Sequence, residues 1–257
     1  MISRIEKILH LPDKCLLNKK ITKTFFKRNF ELTRNERNLL DDFSIVVSID
    51  WIASVSPYTS NVPAFSTPKT TFEELQVIAL KTSNNQFDRN KYKLLELVQK
   101  YIPYHTLLIL YTDTTMVWNA CYKRINENDS AKRIVDRMFT SDEIQITTPT
   151  KNQKTFLSGL SFKKLEKTNL KSLYNGYVQQ IVALNAVDVR GEFSVRPAER
   201  TTQDVLYLEQ IAQLEKEIIT LTNIATRETQ LNKQVELNAQ IQKKRKQIDS
   251  IKQIIST

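Results

Sequence analysis

The chain has 257 residues, 40% of them apolar, and a formal charge of +10 from 38 basic and 28 acidic side chains. That length allows one large core or a medium domain with an extension; an apolar share below the usual ~45–50% fits a long exposed helix, and the charge favours polyanions or acidic surfaces as partners. Only Gly159, Gly176 and Gly191 are glycines, which excludes a glycine-rich phosphate loop and a dinucleotide fingerprint, because both cluster glycines where backbone meets phosphate.

In chain order, "LPDKCLLNKKITKTFFKRNF" (11–30) reads as a helix beginning near Pro12 and Asp13. Leu17, Ile21 and Phe25 stack at i, i+4 and i+8, with Lys19, Lys20, Lys23 and Lys27 on the opposite side. Thr33 and Glu36 have capping-box spacing, so a second helix is expected from Arg34. "SIVVSIDWIASV" (44–55) reads as a strand with Ile45, Val47, Ile49, Trp51, Ala53 and Val55 on one face. A loop with three prolines follows, then a second strand, "ELQVIALKTS" (74–83). "DRNKYKLLELVQKYI" (88–102) is a predicted helix capped by Asp88, burying Leu94, Leu95, Val98 and Ile102 and stopped by Pro103. Residues 105–124 read as a hairpin turning near Asp113.

Between 125 and 168 the pattern is weak, apart from a short strand at "EIQITTP". Leu170, Leu173, Tyr177, Ile181 and Leu184 then mark a helix over 170–186. Residues 188–202, with Gly191 and Pro197, form the best linker, and no glycine or proline follows Gln203. Ile211, Leu214, Ile218 and Leu221 alternate by three and four residues as an a/d seam. The seam falters at Ala225 and Glu228 and resumes loosely through Leu231, Val235, Ile241, Ile248 and Ile255. Two geometries stay open: one helix of about 55 residues, reaching roughly 80 Å, or a hairpin folding near Thr226–Thr229, where helix propensity is poorest.

The expected class is therefore α+β: N-terminal helices, a small mixed sheet of about ββαββ order, and a C-terminal long helix or helical hairpin forming a coiled coil. The expected division is a globular domain over 1–187, a linker over 188–202 and a coiled-coil helix over 203–257.

Soft metal ligands are scarce. Cys15 and Cys121 lie far apart, and His10 and His105 are the only histidines, so no zinc set, metal or cofactor is expected. Reduced cysteines point to the cytoplasm. "MISRIEKILHLPDK" lacks the apolar core of a signal peptide, and no run approaches the roughly 18 apolar residues of a membrane span.

The seam is the strongest signal, because a helix polar on most of its circumference does not stay isolated in water. Its expected interface is Ile211, Leu214, Ile218, Leu221, Leu231, Val235, Asn238 and Ile241. Asn238 sits where the seam continues; it is either a register-setting polar residue or a tolerated surface residue. The seam packs on its own domain, on a second copy, giving a homodimer, or on another protein. Lys19, Lys20, Lys23, Lys27 and Arg28, with Phe25 and Phe26 interleaved, are the candidate nucleic-acid contacts. The competing reading is a plain solvated face, which also suits "KKRK" (243–246). Asp50, Lys81 and nearby Glu73 and Glu74 evoke a metal-dependent nuclease. The usual pattern wants a carboxylate two positions before the lysine, and Ala79 stands there. No catalytic residue is assigned on this basis, and His105 reads as structural.

"LPDKCLLNKKITKTFF", "DFSIVVSIDWIASVSP", "LVQKYIPYHTLLIL", "LEQIAQLEKEIITLTN" and "KQVELNAQI" together resemble a bacterial family catalogued as domain of unknown function 4391, over nearly the whole chain. The resemblance implies a setting beside DEAD/DEAH- or SNF2-type helicases and DNA methyltransferases, in loci like restriction and phage-defence systems. It supplies no catalytic residues. It implies a non-enzymatic accessory subunit that docks to a helicase or methyltransferase and contacts DNA. The alternative is a degenerate or unusual Mg-dependent nuclease subunit of such a complex.

Overall fold

A computed structural model describes residues 1–129 and 132–256. Ser130, Ala131 and Thr257, which fall in the expected globular domain and last helix, lie outside the described residues. The elements are α1 (Ile2–Leu9), β1 (Leu16–Lys20), α2 (Lys23–Asn29), α3 (Arg34–Asp41), β2 (Ser48–Val55), α4 (Pro57–Ser60), β3 (Phe65–Ser66), β4 (Thr71–Phe72), β5 (Leu75–Lys81), α5 (Asn84–Tyr101), β6 (His105–Tyr111), β7 (Thr115–Ile125), β8 (Arg133–Thr140), β9 (Ile144–Gln145), α6 (Lys151–Gly159), α7 (Leu170–Asn185), α8 (Val187–Arg190), α9 (Ala198–Arg227) and α10 (Leu231–Ser256). The chain divides into two units, Met1–Leu184 and Asn185–Thr257. No helix among the described residues is long and apolar enough to cross a membrane.

In the first unit a mixed sheet runs β1-β2-β5-β6-β7-β8, with β9 also on β7. Strands β5 and β6 are parallel; every other pairing is antiparallel. Helix α5 makes the β5–β6 crossover that a parallel pair requires. Its Leu94, Leu95 and Val98 pack on Ile49, Ile78, Leu80, Leu108, Leu110 and Val117 of one sheet face. On the other face the Tyr174 hydroxyl of α7 accepts from the Cys121 N–H (2.7 Å) and lies 3.0 Å from the Thr106 carbonyl. Trp118 meets Phe156 of α6 edge-on at 6.3 Å. With helices on both faces, β6 is buried throughout, as its unbroken "TLLIL" run requires.

The sheet is larger than a ββαββ core because strands occur where none, or only a weak signal, was read. Residues 11–30 are not one helix. A 3₁₀ turn at Asp13–Cys15 leads into β1, and only Lys23–Asn29 is helical. Asn18 has φ 49° and the β1–β2 register shifts between Leu16 and Lys19, so a bulge interrupts the alternation. Thr22 caps α2 by accepting from the Phe25 N–H at 3.1 Å. Leu17, Ile21 and Phe25 therefore lie on three different segments. The Thr33–Glu36 capping box forms as expected.

Strand β2 starts at Ser48, leaving Ile45 and Val47 outside it, and a register shift between Trp51 and Ala53 breaks the one-face pattern. The proline-rich loop contains α4 and the small β3–β4 pair. Helix α5 begins at Asn84 after Ser83, five residues before the expected start at Arg89 that an Asp88 cap implies. Strand β8 fills part of the weak stretch after residue 125.

In the second unit the chain is irregular only over 191–197 before α9. Helix α9 ends at Arg227, and the Glu228 carboxylate accepts from the N–H groups of Thr229 and Gln230 (both 2.9 Å) at the start of α10. The outcome is a helix pair, not a single rod. Ile211 and Leu214 pack on Ile248, Ile251 and Ile255.

Candidate functional site

The first unit carries a groove of about 640 Å³ between the edge strand, α2 and the end of α5. Lys19 and Lys20 come from β1, Phe25 and Phe30 from α2 and its cap, Trp51 from β2, Gln76 and Ile78 from β5, and Ile102, Pro103 and Tyr104 from the turn after α5. Strand pairing sets Trp51 opposite Ile78, so Trp51, Ile78 and Gln76 share a face. Phe25 (42% exposed) and Tyr104 (41%) present ring surface to solvent. Phe25 meets Phe30 edge-on at 5.8 Å, and Phe30 leans on Tyr101 at 5.1 Å.

Gln76 is 2% exposed. Its Oε1 accepts from the Trp51 indole N–H at 2.5 Å. Among the described residues its Nε2 has no hydrogen-bond partner. A buried amide donor left unmatched costs free energy, so this one stands out in the groove floor. No acidic residue lines the groove. Two other concavities of the first unit, by contrast, contain Glu36, Asp42 and Glu96, or Glu127 and Asp136.

The groove is braced from behind. Glu36 of α3 accepts from Lys100 (2.8 Å) and Tyr101 (2.8 Å) of α5. Burial alone would raise the Glu36 carboxyl; hydrogen bonds from Lys100, the Thr33 N–H, Tyr101 and the Thr33 hydroxyl outweigh it and hold the group at about 2.

The five predicted cations are not one cluster. Lys19 and Lys20 are exposed on β1 beside the groove, and no ion pair among the described residues involves them or Arg28. Lys27 pairs with Asp41. Lys23 sits 4.1 Å over the Phe43 ring and donates to the Asp42 carbonyl. Burial pulls Lys23 below its ordinary value, against the attraction of Asp41 and Asp42 and with repulsion from Lys27. The uncommitted charge is thus Lys19, Lys20 and Arg28.

The nuclease candidates do not converge. Asp50 accepts from Ser48 (2.9 Å), Lys81 pairs with Asp113 (2.7 Å), and Glu74 accepts from Ser54. Asp50 and Lys81 share a sheet face through the Asp50–Ala79 and Ser48–Lys81 pairings. Glu74, however, precedes the far end of β5 from Lys81, roughly 20 Å away at strand rise. Among the described residues no group of three metal-ligating side chains exists. His105 is locked in the fold: its ring stacks on Phe72 at 3.7 Å and its Nε2 accepts from the Lys123 N–H.

In the helix pair, Ile211, Leu214 and Ile241 are buried, and Ile218 and Leu221 are half-buried. Leu231 (72% exposed), Val235 (60%) and Asn238 lie off the seam. On α10 the inward positions are Gln234, Leu237, Ile241, Lys244, Ile248, Ile251 and Ile255, a regular alternation of three and four. Two polar members hid it: Lys244, which pairs with Glu217, and Gln234, which donates to the Ala225 carbonyl. Ile219 (61%) and Ile224 (48%) are also exposed, so the end of the pair near the turn keeps four open aliphatic side chains.

Neither the groove nor the role of Gln76 was read from sequence. The signal that existed was Trp51 and Gln76 in adjacent strands, which needs the β2–β5 register to interpret.

No curated protein and no solved structure matches the chain. Residues 9–248 match one family across both units, and the chain belongs to that family, described as Domain of unknown function (DUF4391).

Proposed function

We propose that the protein is a non-enzymatic accessory subunit of a bacterial DNA-targeting complex of restriction or phage-defence type. The far end of its helix pair docks to a helicase or methyltransferase partner, and the basic edge of its sheet contacts DNA.

The observation that carries this reading is the exposure of Ile219, Ile224, Leu231 and Val235 on a helix pair whose own seam is already filled. These side chains present roughly 400 Å² of surface, short of the ~800 Å² per partner of a standard interface. Two copies meeting only there would bury too little for a stable dimer. A larger protein that wraps the turn adds surface of its own. On the other unit, Lys19, Lys20 and Arg28 form no ion pair among the described residues, which suits phosphate contacts.

The test is co-expression with the neighbouring helicase and methyltransferase, followed by mass determination by light scattering, for wild type and for Leu231→Asp with Val235→Asp. Both positions are exposed, so stability is expected to change by no more than ~0.5 kcal/mol. Partner capture by wild type, abolished in the variant, supports the reading. A wild-type homodimer dissolved by the variant, or no capture by either protein, overturns it.

A further inference from the structure

We propose that the groove beside β1 seats an unpaired base of a single-stranded nucleic acid, with the unmatched Gln76 amide donating to an acceptor on the base. This rests on the reading that the basic edge contacts DNA, and it specifies the form contacted.

Three features favour this occupant. First, the groove offers aromatic walls from Phe25, Phe30, Trp51 and Tyr104. Sequence-tolerant binding of single strands uses such rings, because every unstacked base has a π-face. A paired base keeps its faces stacked within the duplex and cannot use them.

Second, Lys19 and Lys20 stand at the rim without carboxylate partners. Lys19 pairs with Trp51 in the β1–β2 ladder and shares its face, whereas Lys20 pairs with Asp50 and points to the other face, so Lys19 is the nearer phosphate contact and Lys20 adds charge at the sheet edge. With no acid in the lining, nothing there repels a phosphate. Third, Gln76 is held by its bond to Trp51 Nε1, and its unmatched Nε2–H lies covered beneath the groove floor. A carbonyl or ring nitrogen on a base edge would satisfy it once the groove floor shifts to uncover it. An apolar peptide side chain would leave it unmatched. The volume of about 640 Å³ falls within the range of small-ligand sites.

The experiment measures fluorescence anisotropy of labelled 12-mers against the full chain: oligo-dT, oligo-dA, oligo-dU and oligo-U as single strands, and a duplex of equal length. The full chain has two tryptophans; Trp118 is fully buried and Trp51 lines the groove, so quenching of intrinsic fluorescence reports the groove. The expected result is single-strand binding at least about tenfold tighter than duplex, with Trp51 quenched. Phe25→Ala should weaken it about tenfold, since Phe25 is exposed and its removal spares the core. Lys19→Glu with Lys20→Glu should weaken binding and flatten its salt slope by about 1.4, near 0.7 for each phosphate no longer neutralised. Comparing oligo-dU with oligo-U, which differ only in the 2′-hydroxyl, distinguishes DNA from RNA as the source.

Equal affinity for duplex and single strand, unaffected by Phe25→Ala but sensitive to the lysine reversal, would overturn the base site and leave DNA contact standing. No binding of any oligonucleotide would overturn both. A proline-rich peptide that quenches Trp51 where oligonucleotides do not would likewise overturn the proposal.

Discussion

Asp204 of α9 is the pivot of the second unit, and replacing it with asparagine tests that directly. It is 1% exposed and faces three guanidinium groups: Arg190, which pairs with it most closely, Arg196 at 3.4 Å and Arg200 at 3.9 Å. The same arginines donate to the last carbonyls of α10. Arg190 and Arg196 reach Ile255 O (3.4 and 2.8 Å), and Arg200 reaches Ile254 O (2.7 Å). Three cations thus share one carboxylate and the negative end of a helix. Burial pulls Arg196 below its ordinary value, and repulsion from Arg190 adds to this.

Asp204→Asn keeps the shape but removes the anion. Breaking a buried pair from one side costs about 3–5 kcal/mol, because the remaining charge is left uncompensated. The carbonyls still accept from the arginines, and Arg200 is a third exposed, so the lower end, about 3 kcal/mol, applies here. A unit of this size holds roughly 4–10 kcal/mol. The substitution should therefore open the closed end of the helix pair well before the sheet responds. Urea unfolding followed at 222 nm gives the total, and hydrogen exchange of the last two turns of α10 gives the location. A double-mutant cycle with Arg190→Met isolates the pair. A destabilisation below about 1 kcal/mol, with unchanged exchange at Ile251–Ile255, would refute the pivot role.

Two further outcomes follow from the first unit. Burial, then Lys123 and Arg133, depress the His105 imidazole from 6.5 to about 3, so its contribution is complete above pH 6.5 and is lost as pH falls from there toward 3. Stability should drop by about 1.6 kcal/mol in total between pH 6.5 and 5, above the range in which Glu36 titrates; a flat profile there in wild type, or an unchanged slope in His105→Leu, would contradict this. At Gly159 an added Cβ would lie 2.2 Å from Oε1 of the buried Gln180. Gly159→Ala makes the end of the Gln180 side chain turn aside, and the helix propensity gained in α6 offsets part of that cost, so the urea midpoint should fall by the equivalent of no more than about 1 kcal/mol; an equal decrease in a Gln180→Ala background would show that the clash is not the cause.

Elements with local causes were legible in the sequence. The α3 start follows from a hydroxyl and a carboxylate three residues apart, which satisfy each other's backbone donors. The β6–β7 hairpin follows from an apolar run, a polar turn and a second run. What failed depended on partners distant in sequence. Leu17, Ile21 and Phe25 have helical spacing, yet β1 forms because β2 offers a free edge, and the left-handed Asn18 removes the alternation that would have revealed it. The α10 seam runs through Gln234 and Lys244, whose polar ends are satisfied by α9. An apolar count alone followed Leu231 and Val235, which lie on the outward face of α10. The groove joins β1, β2, β5 and the end of α5, and no spacing within one segment encodes it.

The place of β1 at the rim of the sheet has a consequence for solubility. An edge strand offers backbone donors and acceptors as a template on which a strand from another molecule adds and aggregation begins. Strand β1 is short and bulged, and it ends in Lys19 and Lys20, each of which discourages such addition. The lysines would then keep copies of the chain apart whether or not they meet phosphate. Replacing both with alanine would remove this protection together with the charge, so weakened binding and self-association would be read as one effect. Reversal to glutamate keeps the edge charged and separates them.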